Sequence, residues 1–155
     1  MRGKQSQKRV IAGDPKFNNV LVAKLINYVM LDGKKTTAQR VVYDAFEIIS
    51  KKTKLDPITV FQQALDNVMP NLEVKSKRVG GANYQIPMPV RGDRRITLAY
   101  RWILISARSK KGAAMATHLA TELMEGAEGV GGAVKKKEDV QRMAEANRAF
   151  AHFAR

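Results

Sequence analysis

Three segments early in the chain place apolar residues at helical spacing. Val22, Leu25, Ile26 and Val29 fall at i, i+3, i+4 and i+7, which predicts a helix from Asn18 or Asn19, either able to cap it, to about Leu31. Asp32-Gly33 ends it. Val42, Ala45, Phe46 and Ile49 repeat the spacing and predict a second helix over roughly 36–51. Asp56-Pro57 is a start signal, an acceptor at the cap followed by proline at the first helical position. The third helix then runs to about Met69, with Ile58, Phe61, Leu65 and Val68 inward, and Pro70 stops it.

At this point the period changes to two. Tyr84, Ile86, Met88 and Val90 alternate with Gln85, Pro87 and Pro89, which predicts a strand. With the segment from Glu73 it forms a hairpin over 73–90, turning at Gly80-Gly81-Ala82-Asn83 through a bulge or a four-residue loop. Pro87 and Pro89 are two residues apart, so both missing amides fall on one side and fit the outer edge of a two-stranded ribbon. Residues 91–109 have strand-like stretches but no turn signal, and that length favours a helix. A fifth helix spans roughly 113–127, with Ala116, Leu119, Ala120 and Leu123 on one face. Gly126 to Gly132 breaks the chain, and a sixth helix follows to about Phe150, with Val140, Met143, Ala144 and Asn147 in register. The expected fold is mainly α: a single bundle of about six helices with one β-hairpin arm protruding between helices 3 and 4. It occupies 13–155, after a flexible basic arm at 1–12.

Charge changes the picture. The 155 residues carry 28 Lys+Arg against 14 Asp+Glu, a net of +14. Residues 1–111 hold 22 of the bases and 8 of the acids, so the C-terminal 44 residues are neutral. A polyanion is the implied partner, nucleic acid first and an anionic membrane surface second. No apolar run is long enough to span a bilayer. With no cysteine, disulfides and thiolate metal sites are excluded, and a reducing, cytoplasmic setting fits.

The basic residues are patterned. Arg94, Arg101 and Arg108 lie seven apart, so they form one helical stripe drifting by only ~20° per heptad. Arg91, Arg95, Lys110 and Lys111 extend it, and Asp93 alone interrupts. A solvated face normally mixes signs, whereas a one-sign stripe of arginines suits phosphate. Lys75, Lys77 and Arg78 form a basic strand in the hairpin, and Lys34-Lys35 a basic corner. Lys51 and Lys52 complement a helix C-terminus. Gly33-Lys34-Lys35-Thr36 lacks the strand and upstream glycine of a phosphate loop. Gly126, Gly129, Gly131 and Gly132 lie beside Glu125 and Glu128 and fit a helix–helix connection better than a dinucleotide site. Lys135-Lys136-Lys137 is balanced by Glu138-Asp139. His118 and His152 are far apart and no carboxylate dyad is evident, so no catalytic residue, metal site or cofactor is expected. Tyr100 and Trp102 pack or flank the basic face, and Tyr84 is placed to stack on a base or sugar. These features fit a structural RNA-binding protein or an architectural DNA-binding protein with a β-ribbon arm; an RNA-modifying enzyme lacks its catalytic groups.

Several motifs carry a closer likeness. Lys75 to Pro87, Leu98-Ala99-Tyr100-Arg101-Trp102, Lys135 to Val140 and Arg142 to His152 resemble the seventh protein of the small ribosomal subunit, bacterial type. So do Asp14-Pro15-Lys16-Phe17 and Asp32-Gly33-Lys34-Lys35, and the resemblance covers roughly 10–155. It implies primary binding to the 3′ major domain of small-subunit ribosomal RNA, nucleation of head assembly, and a hairpin near the exit-site tRNA and mRNA. It also implies neighbours from the ninth and eleventh small-subunit protein families, no membrane, and a place in the cytoplasmic ribosome. The expected RNA-binding residues are Arg2, Lys4, Lys8, Arg9, Lys16, Lys34, Lys35, Lys75, Lys77, Arg78, Arg91, Arg94, Arg95, Arg101, Arg108, Lys110, Lys111 and Met115. Val79, Gly80, Gly81, Ala82, Asn83 and Tyr84 form the tip near tRNA and mRNA.

Overall fold

The computed structural model describes residues 3, 6, 7 and 9–154. Six α-helices, α1 (Val20–Val29), α2 (Lys35–Thr53), α3 (Pro57–Val68), α4 (Asp93–Ser109), α5 (Met115–Ala127) and α6 (Gly132–Ala146), surround one core. A two-stranded antiparallel ribbon, β1 (Leu72–Val79) and β2 (Ala82–Pro89), stands between α3 and α4. A 3₁₀ turn, Arg148–Ala154, follows α6.

The expected caps act as such. The Asn19 side chain accepts from the Leu21 N–H at 2.8 Å, and Asp56 accepts from Thr59 N–H ahead of Pro57. Asp14 is buried and organises the segment before α1: its Oδ2 accepts from the N–H groups of Lys16 and Phe17, and Oδ1 accepts from the Tyr43 hydroxyl at 2.8 Å. In α3, Val60 and Ala64 join Phe61, Leu65 and Val68 in the core, while Ile58 is only half-buried. In α5 the inner face is Leu119, Ala120, Leu123 and Gly126, with Ala116 at its margin. Both adjustments follow from a stripe wider than the minimal repeat.

Tyr100 lies at the centre of an aromatic chain. Its ring stacks on Tyr28 and Phe61, with centroids 5.2 and 6.4 Å away, and Phe61 leads on to Phe46 and Phe17. Its hydroxyl donates to the Leu21 carbonyl at 2.9 Å, so the phenol is buried with a partner. Trp102 is also buried. Neither ring flanks the basic face; both belong to the interior, where each large side chain contributes about 1.5–3 kcal/mol.

The hairpin turns more tightly than its composition suggests. Val79 pairs directly with Ala82, leaving only Gly80 and Gly81 in the loop, at φ +57° and +91°. Two successive positive φ values are the signature of a type I′ turn, which glycine adopts without strain and whose twist matches the strands. Ala82 and Asn83 are therefore ladder residues, with no bulge. The Val90 N–H donates to the Asn71 carbonyl, which fixes the alternation of the ladder and puts Pro87 and Pro89 in non-hydrogen-bonded pairs with Val74 and Leu72. The missing amides point outward, as their spacing implied.

Helix α6 ends at Ala146, four residues short of the expected boundary. Asn147 closes it, its N–H and its side-chain amide both donating to the Met143 carbonyl. At the other end, α6 begins against α4: a Cβ on Gly132 would collide with Ser106 Oγ. The buried Glu122 of α5 accepts from the Ala133 N–H at 2.8 Å through Oε1. Its Oε2 has no well-angled hydrogen bond and is met by the Lys110 ammonium at 3.0 Å. One carboxylate thus joins the end of α4, the middle of α5 and the start of α6. Across the bundle, Asn67 donates to the carbonyls of Gly126 and Ala127, and Lys137 donates to the Asn67 carbonyl at 2.6 Å.

Glu122→Ala leaves the Ala133 amide without its acceptor, and a loss of about 1–3 kcal/mol is expected in urea unfolding. A second expectation concerns alkali. Burial, and then the nearby Tyr28, push the Tyr100 phenol far above its ordinary value of 10.0. The folded state therefore holds this proton more tightly than the unfolded chain. Its contribution is complete below about pH 10 and is lost as pH climbs further. Tyr100→Phe should lower stability by ~0.5–1.5 kcal/mol at neutral pH while flattening the alkaline decline, followed by unfolding at stepped pH.

Candidate nucleic-acid interface

Helix α4 carries the arginine stripe on the face opposite its core residues, so Arg94, Arg101 and Arg108 are all exposed. Their electrostatic states differ. Arg94 donates through Nε and Nη2 to Glu73 Oε2 of β1, at 3.2 and 3.1 Å. Lys75 pairs with the same carboxylate at 3.3 Å. Arg95 donates to the Pro70 carbonyl and the Asn71 side chain. Asp93 is therefore not the only interruption: Glu73, distant in sequence, folds onto the start of the stripe. These contacts tie the base of the ribbon to α4.

Lys110 is the clearest revision. It is half-buried and bridges Glu122 at 3.0 Å and Glu125 at 2.7 Å. Burial works against its charge, but the hydrogen bond to Glu125 and the adjoining Glu122 carboxylate outweigh that and raise its pKa. This ammonium serves the fold. Lys16 is exposed yet held by Glu47 at 3.8 Å and lies over the rings of Tyr43 and Phe17. Beside it, burial and the Asp14 carboxylate raise the Tyr43 pKa.

Along the ribbon the pleat separates residues that are adjacent in sequence. Lys75, Lys77, Tyr84 and the buried Ile86 share one face; Arg78, Asn83 and Gln85 share the other. The three bases expected to grip as one strand thus point two ways. Lys77 donates to the Phe153 carbonyl at 2.9 Å. Tyr84 packs on Phe150 and Phe153, with ring centroids 5.2 and 5.5 Å away. Its ring is half-buried against them, which leaves less of it open to stacking than expected. Arg78, the Gly80-Gly81 loop, Ala82 and Asn83 are exposed, and Val79 is half-buried.

The residues that converge best come from three places in the chain. Lys34 at the cap of α2, Arg108 near the end of α4 and Met115 at the start of α5 line one cleft of about 370 Å³. Thr37 also lines it, and Val29, Leu31, Ala38 and Val41 form its floor. Arg108 is set by a long 3.4 Å contact with the Val29 carbonyl. An apolar floor under two cationic side chains fits a ligand with a flat, weakly polar body and an anionic edge. Ile105, exposed on α4 between Arg101 and Arg108, adds an apolar surface to the same stripe. Neither Ile105 nor the floor residues were legible as interface, because single apolar residues on a helix carry no such signal. A second hollow is lined by Arg9 and Lys35 together with Ile11, Ala23 and Ile26. Among the described residues, Arg78, Arg91, Arg101 and Lys111 are exposed and make no hydrogen bond or ion pair. Arg2, Lys4 and Lys8, also expected to bind, lie outside the described residues. Among the described residues no helix is long and apolar enough to cross a membrane, and no group of His, Asp and Glu is placed to hold a metal ion.

Comparison with known proteins gives concordant matches. Residues 1–148 match the family model described as ribosomal protein S7p/S5e. The chain is 59% identical to the small ribosomal subunit protein uS7 of Moorella thermoacetica, over 98% of this chain and 97% of that one. It is 58% identical to that of Thermotoga maritima over 99% of each, and 55% identical to that of Polynucleobacter asymbioticus over 98% and 97%.

The different states of the stripe predict a split in stability. Arg94→Ala, which leaves the mostly buried Glu73 with Lys75 alone, should lower unfolding stability by about 0.5–1 kcal/mol. Arg101→Ala should change it by less than ~0.5 kcal/mol. Parallel urea titrations check both.

Proposed function

This chain belongs to the ribosomal protein S7p/S5e family, and from that premise we propose how it engages RNA. It is a structural constituent of the small ribosomal subunit and not an enzyme. In our reading it is a primary binder of ribosomal RNA in the 3′ major domain, where it nucleates assembly of the head in the cytoplasmic ribosome. The observation that carries this reading is the cleft shared by Lys34, Arg108 and Met115. Its two cations suit a bent phosphate backbone, and its apolar floor suits an unstacked base or a sugar edge. A regular duplex offers neither together, whereas folded RNA junctions do.

The exposed bases Arg78, Arg91, Arg101 and Lys111 extend the same surface along α4 and the ribbon. Phosphate contacts of this kind supply most of the affinity and make it steeply dependent on salt. The ribbon tip, small and glycine-turned, reaches toward the exit-site tRNA and the mRNA. The neutral C-terminal portion, lacking any excess of positive charge, is left for neighbouring proteins of the ninth and eleventh families. The DNA-binding alternative has no support from the family matches.

The test is binding to a multi-helix fragment of the 3′ major domain and to duplex DNA of equal length, across a salt titration. The RNA should bind more tightly at every salt concentration; equal affinities would refute the reading. Arg101→Ala should lower the slope of log K against log salt by about 0.7–0.9, with circular dichroism unchanged.

A further inference from the structure

The 3₁₀ turn Arg148–Ala154 has a place in the fold that neither the family nor the RNA surface explains. In a 3₁₀ helix the side chains at i and i+3 eclipse one another. Phe150 and Phe153 are so spaced, and both rings reach Tyr84 in the outer half of β2. Lys77, directly across the ladder from Tyr84, donates to the Phe153 carbonyl at 2.9 Å. The His152 ring lies tilted against Phe153 with centroids 4.0 Å apart, and its Nδ1 lies 2.8 Å from the Ala149 carbonyl within the turn. Among the described residues the turn packs against β2 and α6 and takes a hydrogen bond from Lys77 of β1.

Apart from this contact, the ribbon is supported by α6, which packs against both strands. Ile86, midway along β2, is buried on the same face as Tyr84, but Ser76, Lys77, Arg78 and the Gly80–Asn83 tip are exposed. A two-stranded hairpin alone is marginally stable in water. We propose that the Arg148–Ala154 turn is a brace: Phe150 and Phe153, closing on Tyr84 and Lys77, fix the direction in which the hairpin tip projects. Tyr84 is then a positioning residue and not a stacking surface. Arg78 and Asn83, on the opposite face, remain open to a nucleic-acid partner. Fixing the tip beforehand removes part of the ordering that binding would otherwise require. The effect on RNA or tRNA binding rests on the function proposed above; the effect on the hairpin itself does not.

The absence of native cysteine allows a direct measurement on the full chain. Spin labels at Asn83→Cys on the tip and Asp44→Cys on α2 report one distance distribution by pulsed electron resonance. In the parent it should be narrow; with Phe150→Ala and Phe153→Ala together it should broaden severalfold, while circular dichroism and the unfolding midpoint of the bundle hold. Hydrogen exchange should accelerate at least tenfold in residues 76–85 and stay unchanged in α1–α5. A distribution as narrow as the parent's, with unchanged exchange, overturns the brace. Should the double variant fail to fold, Phe153→Ala alone is read by the same two criteria. Binding to the 3′ major domain fragment and to tRNA-loaded subunits is then measured, with a three- to tenfold loss expected for the tip-dependent contact. A loosened hairpin with undiminished binding would leave the brace standing and remove the hairpin from the proposed function.

Discussion

The Glu122 carboxylate is the constraint from which both working regions of this protein follow. It is buried in α5, holds the first free amide region of α6 through Ala133, and draws Lys110 inward from the end of α4. Lys110, held by Glu122 and Glu125, fixes the first residue of the chain that leads from α4 into α5. Met115, at the far end of that connection, lines the cleft with Arg108 and Lys34. Because Ala133 is held at the same point, α6 starts against Ser106 and runs back to support β1. The helices that Glu122 joins thus contribute residues to the cleft, through Arg108 and Met115, and packing to the ribbon, through α6.

The basic residues divide into those that complete the fold and those that face outward. Arg94, Arg95, Lys16, Lys110 and Lys137 have carboxylates, carbonyls or side-chain amides of the protein itself as partners. Arg78, Arg91, Arg101 and Lys111 do not. Net charge therefore overstates the surface available to RNA. It also understates its organisation, since the internal pairs orient the elements on which the outward cations are displayed.

The helices and the ribbon were legible because their signals are local: Asn19, Asp56-Pro57 and the alternation from Tyr84 to Val90 each act within a few residues. Errors arose where two local options had similar energy. The Gly-Gly-Ala-Asn sequence permits a four-residue loop or a two-residue I′ turn, and the register of the distant base of the ribbon, where Val90 bonds Asn71, decides. The site was legible in composition but not in geometry. Arginine spacing revealed the stripe; nothing local revealed that Glu73 would meet Arg94, that Glu122 would claim Lys110, or that Phe150 and Phe153 would cover Tyr84. Each of those contacts joins residues far apart in sequence. The cleft is the same case in reverse, since Lys34, Arg108 and Met115 share no pattern until the bundle closes.

The two prolines of β2 have a consequence for the protein before it meets RNA. An isolated ribbon has two open edges, each able to recruit a strand from another copy. Here β1 packs on α6, and the outward side of β2 lacks amide donors at Pro87 and Pro89. A second chain seeking to extend the ribbon along β2 would find carbonyls without matching donors at alternate positions. The half of the outer edge nearest the bundle is thus a poor template for an added strand, which leaves Gln85 and Asn83 as the outward amides of β2.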